Sequence, residues 1–88
     1  MRIQFKETFG KDLRGIKNKE VLNKVREIIV QVEQARTLKD IANLKKLKGG
    51  NDYYRIRIGD YRLGIVVQEN IVSFVRCLNR REIYRYFP

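Results

Sequence analysis

From Tyr53 to Leu78 the chain alternates between residues suited to a buried surface and residues suited to water, with a period of two. Successive side chains of a strand face opposite sides, so Tyr53, Arg55 and Arg57 share one face while Tyr54, Ile56 and Ile58 share the other. Gly59-Asp60 supplies a tight hairpin of the kind that permits positive φ, after which Tyr61 and Arg62 restart the pattern. A second hairpin is predicted at Glu69-Asn70, between the apolar run Leu63 to Val67 and the run Ile71 to Leu78. This half is expected to form three antiparallel strands.

The first half changes period. Met1 to Lys6 alternates with Ile3 and Phe5 on one face, which suits a short strand whose partner the sequence does not reveal. Glu7 to Lys17 sets Phe9, Leu13 and Ile16 at helical spacing. Asn18 then reads as the N-cap of a second helix from Lys19 to about Arg36, in which Val21, Leu22, Val25, Ile28, Ile29 and Val32 form one stripe. Helices joined by so short a link are expected to pack as an antiparallel hairpin over the buried face of the sheet. Thr37 to Asp40 resembles a capping box with Asp in the usual Glu position, opening a short turn that ends near Asn43. In the following LKKLKGG, Leu44 and Leu47 can reach the core while Lys45, Lys46 and Lys48 stay solvated.

The predicted fold class is therefore α+β: a small antiparallel sheet, built from the N-terminal strand and three C-terminal strands, packed against an N-terminal helical hairpin. At 88 residues and 43% hydrophobic content, residues 1–88 are read as one domain with one modest core. The formal charge of +10 points to a polyanionic partner, because neutralising phosphates releases condensed counterions. Nucleic acid is the first candidate and an acidic protein the second. The basic residues are spread over helical and strand segments, which argues against a membrane surface. With neither a long apolar span nor a signal-like start, the expected location is the cytoplasm.

Composition also removes chemistry. The chain has no histidine, which excludes Ser-His and Cys-His catalysis and leaves no imidazole for zinc. The single cysteine, Cys77, lies in an apolar strand and reads as a small core residue, not a nucleophile. No pair of carboxylates close in sequence suggests a magnesium site, so neither metal nor cofactor is expected. Chemistry must come from Arg, Lys, Tyr or carboxylates. Taken singly, arginines on an exposed strand face are most often solvated, terminal tyrosines such as Tyr84 and Tyr86 most often plug a core, and the lysines of LKKLKG most often form a solvated face. Turn chemistry accounts for Asp60 and helix-start chemistry for Glu82.

The order of strand, two helices, short turn, LKKLKG, YRIRIGDYRLGI and NRREIY resembles the RelE/ParE superfamily of bacterial and archaeal toxins over essentially the whole chain. Its most specific pieces are Arg55 to Leu63 and the ending Arg80-Arg81-Glu82-Ile83-Tyr84. The resemblance implies neutralisation by a cognate antitoxin, expected to be acidic, and association of the pair on operator DNA. For the RelE branch it implies metal-independent cleavage of messenger RNA in the ribosomal A site; for ParE-like members it implies inhibition of DNA gyrase without nuclease activity.

Matched position by position, Arg55 and Arg57 correspond to the basic pair before the first C-terminal hairpin and Arg62 to the arginine of the GDYR-like segment. Arg80 corresponds to the arginine beyond the last strand, with Arg81 as the alternative, and Tyr84 to the terminal tyrosine. The chain departs from the RelE pattern at Arg55 and Arg57, where RelE has lysine, and at Asn79, where many relatives have histidine. Cleavage through the 2′-hydroxyl needs a proton acceptor, a stabiliser of phosphate charge and a leaving-group acid. Guanidinium groups suit the second task and are poor acids and bases. On this reading Tyr84 is the base or 2′-hydroxyl orienter, Arg62 and Arg80 hold the phosphate, and Arg55, Arg57, Arg81, Lys45, Lys46 and Lys48 bind RNA.

Overall fold

In the computed structural model, which describes residues 1–88, the alternating segments form strands and the 3.6-period segments form helices. The order is β1 (Arg2–Phe5), α1 (Glu7–Arg14), α2 (Lys19–Gln34), a 3-10 turn (Leu38–Asp40), β2 (Leu44–Lys46), β3 (Tyr53–Ile58), β4 (Tyr61–Gln68), β5 (Ile71–Asn79) and a single helical turn α3 (Ile83–Tyr86). The five strands lie in the order β1-β5-β4-β3-β2. The expected α+β class is borne out, but the sheet departs in two respects from the four antiparallel strands expected. β1 pairs with β5 in parallel, and the lysine segment supplies a fifth strand, β2, antiparallel to β3. Three residues carrying two lysines look like a solvated connection, and their pairing shows only once β3 is in place.

The hairpins follow their turn chemistry. Glu69 and Asn70 both take positive φ, as a two-residue turn matched to strand twist requires, and Gly59 takes φ +54°. In the β3/β4 register Ile56 faces Leu63 and Tyr54 faces Ile65, so the apolar sets of both strands fall on one side. That side, together with Val72, Phe74 and Cys77 of β5, meets Phe9 of α1 and Val25 and Val32 of α2 in the main core.

The two helices pack mainly on the sheet and less against each other: α1 lies along β5, and α2 contacts both β1 and β3. The expected helical hairpin is thus spread across the sheet. α1 stops at Arg14, three residues short of the expected end: the Gly15 N–H donates to the Asp12 carbonyl and the Ile16 N–H to the Leu13 carbonyl, each at 3.1 Å, and Ile16 still packs on the core. Asn18 caps α2 as expected, its side chain accepting from the backbone N–H groups of Glu20 and Val21 at 2.9 and 3.3 Å. At the other end of α2 the Met1 ammonium donates to the Glu33 and Ala35 carbonyls, each at 2.7 Å, a cation where the helix dipole favours one and where the last turn carries no basic side chain. In the 3-10 turn the Asp40 carboxylate accepts from the backbone N–H of Thr37 and of Arg36, completing the capping box.

α1 also completes the sheet. β1 pairs with β5 only as far as Phe74, and beyond that point the outer edge of β5 has no strand beside it. Thr8 donates its hydroxyl to the Val75 carbonyl at 2.6 Å, and Asp12, one turn later on the same helix face, accepts the Cys77 N–H at 2.9 Å. Asp12 also holds Arg76 through two hydrogen bonds of 2.8 and 3.1 Å. Val75 is the extra residue of a β-bulge: Gly64 faces Arg76 while Ile65 faces Phe74. Side chains of a helix thus replace the missing strand where the bulge interrupts the ladder.

Two outcomes follow. The Asp12 side chain is only 12% exposed, so Asp12→Ala strands the Cys77 N–H and the Arg76 guanidinium and should lower stability by roughly 2 kcal/mol, read as a lower urea midpoint with an unchanged slope. Cys77 is buried, and burial, with the Asp12 charge adding, pushes its thiol up to about 12. Alkylation proceeds through the thiolate, so at pH 8 native protein should react with iodoacetamide on the order of a thousandfold more slowly than urea-unfolded protein.

Candidate functional site

The face of the sheet away from the helices is divided in two. One part is a second, smaller apolar cluster in which Leu47, Ile83 and Phe87 are buried against Tyr53, Val66, Val75 and Leu78. The C-terminal segment makes this cluster by folding back from β5, through α3, across the sheet. Its single turn begins at Glu82, whose side chain makes no capping hydrogen bond, so the expected helix-start role for that carboxylate is not realised.

The other part is cationic. Arg57 and Arg62 stand directly opposite each other on β3 and β4, and Arg55, opposite Gly64, lies on their diagonal. Lys45 of β2 extends the same row beside Arg55. Directly opposed like charges in a sheet repel. Backbone carbonyls at the strand ends answer part of that repulsion: Arg62 donates to Gly59 and Tyr61 at 2.7 and 2.9 Å, and Arg55 to Asn43 at 2.9 Å. Arg55 Nε is shut off from solvent and has no partner. Burial first, and then the charge of Arg55, lower the Arg62 guanidinium from its ordinary value, with Arg57 and Arg80 adding to the effect and Tyr84 opposing it. The group remains a cation at any physiological pH, but an uncomfortable one that an incoming anion relieves.

Four of the residues singled out from the sequence, Arg55, Arg57, Arg80 and Tyr84, are thereby brought within electrostatic reach of a fifth, Arg62. Of the two adjacent arginines it is Arg80 whose charge bears on Arg62. Its backbone N–H donates to the Asp60 carbonyl at 2.7 Å, and its side chain makes a loose, exposed ion pair with Asp60 at 4.0 Å, which contributes little. Arg81 lies beside Arg80 in a small polar recess with Asp60, Asn79 and Glu82, and its backbone N–H is taken by the Asn79 side chain. Asn79 therefore shapes the turn after β5.

Tyr84 is 59% exposed and stands between two basic regions. On one side is the arginine group, and on the other it lines a cleft of about 400 Å³ with Lys45, Lys46, Leu47, Lys48, Phe87 and Pro88. Tyr86, the other tyrosine of the tail, turns away and lies under Arg76, whose guanidinium carbon sits 5.7 Å from the ring centre. Asp12 holds that arginine and keeps its guanidinium above the ordinary value. Sequence reasoning missed Gly64, Arg76 and Asp12 as partners of the tail, because each acts through a long-range contact. No group of His, Cys, Asp and Glu side chains suited to a metal ion occurs. No helix is long and apolar enough to cross a membrane.

Residues 3–84 match the family model described as the ParE toxin of the type II toxin-antitoxin system parDE. Toxin RelE3 of Methanocaldococcus jannaschii is 39% identical over 89 residues, covering the whole of both chains. Among solved structures, the RelB-RelE antitoxin-toxin complex of Methanococcus jannaschii matches with a TM-score of 0.82 and 38% identity, covering 97% of this chain and 99% of that one. The archaeal RelE-RelB complex of Pyrococcus horikoshii shares the fold at 22% identity, with a TM-score of 0.74 and coverage of 93% and 97%.

The opposed arginines make a prediction of their own. Arg57→Gln keeps the aliphatic stem and removes one of two facing charges, so it should raise stability in low salt by about 0.2–1 kcal/mol. The gain should shrink as added salt screens the repulsion. Urea melts at two ionic strengths measure both.

Proposed function

The chain belongs to the ParE-toxin family of type II toxin-antitoxin systems, within the RelE/ParE superfamily, and from that premise we propose that residues 1–88 form a RelE-like toxin domain that cleaves messenger RNA on the ribosome without a metal ion. The observation that carries this reading is the Arg62 guanidinium, part-buried among Arg55, Arg57 and Arg80 with Tyr84 as its one opposing neighbour. A structural surface gains nothing from crowding cations in this way. A phosphate bound there removes the repulsion, and more so as negative charge builds on the oxygens around phosphorus.

In the reaction the 2′-oxygen attacks the adjacent phosphorus and the bond to the 5′-oxygen breaks. Arg62 and Arg80 hold the phosphate oxygens, and Arg55 and Arg57 carry the flanking backbone. Tyr84 takes or orients the 2′-hydroxyl proton, a role its exposed hydroxyl beside the arginines leaves open to it. Lys45, Lys46 and Lys48 bind RNA along the cleft beside Tyr84, and Arg81 binds RNA phosphate next to Arg80. No side chain of the cluster is assigned to protonate the 5′-oxygen. The ribosomal A site supplies the remaining orientation, so free RNA is a poor substrate.

The proposed partners follow from the same charge. A cognate antitoxin with an acidic segment covers part of the cationic face, as expected for a relative of a toxin solved with RelB, and the pair assembles on operator DNA in the cytoplasm. The ParE name of the matching family model favours one rival, inhibition of DNA gyrase without RNA cleavage. Tyr84 beside Arg62 has no evident use in that activity.

A purified translation system separates the two. Mapped 5′ ends should show cuts at A-site codons with wild-type protein, and the cuts should fall by about a hundredfold or more with Arg62→Ala and with Tyr84→Phe. Tyr84→Phe should still bind programmed ribosomes. Intact messenger with wild-type protein, together with loss of supercoiling by gyrase, would favour the rival.

A further inference from the structure

Gly64 has no side chain, and the structure shows why it needs none. A Cβ at this position would lie 2.7 Å from both Cγ and Cδ2 of Phe87 and 3.0 Å from Cδ1, so the aromatic ring rests directly on the β4 backbone. The φ angle of Gly64 is not of the kind that demands glycine, so the requirement is one of space. Phe87 is buried with Leu47 and Ile83 and meets the Tyr53 ring edge-on, 5.8 Å between centres and 88° between planes. Its backbone N–H closes onto the Ile83 carbonyl at 2.8 Å. Tyr84 thus sits between two anchors, Ile83 and Phe87, both fixed in the smaller cluster.

The position of the socket matters as much as its shape. Gly64 is two residues from Arg62 on β4, and alternation puts both on the same face of the sheet, about 7 Å apart. One strand therefore carries both the arginine and the seat of the tail that bears Tyr84. Raising Phe87 off the strand would carry Tyr84 away from Arg62, and a displacement of about 1 Å at a reacting group can reduce a rate by about a hundredfold.

We propose that Gly64 is a positioning residue: by seating Phe87 against the β4 backbone it fixes the tail that carries Tyr84 on the arginine-bearing face of the sheet. The inference rests on the RelE-like reading given above. Gly64 touches no substrate in this account and acts only through Phe87 and Tyr84.

Single-turnover cleavage of messenger on programmed ribosomes tests it, with Gly64→Ala made both in the wild type and in the Tyr84→Phe background. Gly64→Ala should lower kcat by at least about tenfold while KM for programmed ribosomes changes by less than about twofold. In the Tyr84→Phe background the same change should reduce the residual rate by less than about twofold, since the group being positioned is already gone. An equal loss in both backgrounds, or wild-type kcat in Gly64→Ala, would overturn the positioning role. Circular dichroism and a thermal melt confirm that each variant folds. Should Gly64→Ala fail to fold, Phe87→Leu, which keeps an apolar plug but removes the flat ring, is measured in the same two backgrounds with the same expectations. An inactive wild type would sink the cleavage reading and the proposal with it, a result distinct from an active wild type indifferent to residue 64.

Discussion

The hydrophobic register of β3 and β4 is the constraint on which the rest of the molecule depends, and it holds two arginines face to face across adjacent strands. Arg57 and Arg62 occupy directly opposed positions, with Arg55 on the diagonal and Arg80 near by. Such a pairing is unfavourable in a sheet and persists only when something stronger fixes the register. That something is the reverse face. Ile56 and Leu63 are opposed and fully buried, and Ile65, Val72 and Phe74 extend the same layer beneath the helices. A slip of one residue would carry the arginines into that layer and the isoleucines into water, a far larger penalty than the repulsion it would relieve. The hydrophobic face thus holds the charged face in an arrangement that the charges alone would not adopt.

The cationic face could not be left open along its whole length. Tyr53, Val66, Val75 and Leu78 point to the same side of the sheet and need cover, which the tail provides through Leu47, Ile83 and Phe87. Tyr84 stands at the border between this apolar half and the arginines. The same cover that satisfies the hydrophobic effect therefore delivers a phenol to the cations, so packing and site assembly are one event. The bulge at Val75 belongs to this arrangement. It shifts the β4/β5 register beside Gly64, and Thr8 and Asp12 of α1 take up the backbone groups that the shift and the end of β1 leave without a strand partner. Asp12 then holds the arginine that lies over Tyr86, linking the helix layer to the tail on the opposite face.

What the sequence disclosed and what it hid divide along the range of the interactions. Period-two alternation from Tyr53 onward, the Gly59-Asp60 and Glu69-Asn70 turns and the Asn18 cap are local, and each stands where its residues put it. The arginine set was legible because alternation assigns Arg55 and Arg57 to one face and the family resemblance adds Arg62, which the β3/β4 register then sets opposite Arg57. Features made by distant partners were not legible. β2 exists because β3 offers it an edge, α2 ends at Gln34 where the Met1 ammonium meets its carbonyls, and β1 runs parallel to β5 because of where the chain returns. Choosing Tyr84 over Tyr86 needed the family resemblance in sequence, whereas in the folded molecule the two rings stand by different arginines. Gly64 carried only half a signal, since a glycine within a strand marks a close approach without naming what approaches.

A site without histidine shifts the burden of catalysis from proton affinity to placement. Guanidinium groups keep their charge across the physiological range, so they can hold a phosphate and its growing charge but cannot trade protons with it. Tyr84 is an exposed phenol on α3, a single helical turn too short to hold itself in place. On the proposed reading its usefulness depends on how well that turn is held. The two buried anchors that flank it, Ile83 and Phe87, give that single turn the fixity of the core. The physical logic of the molecule is then continuous: hydrophobic register holds the cations together, the cations create the need for an anion, and apolar packing on their own face fixes the phenol that would work on it.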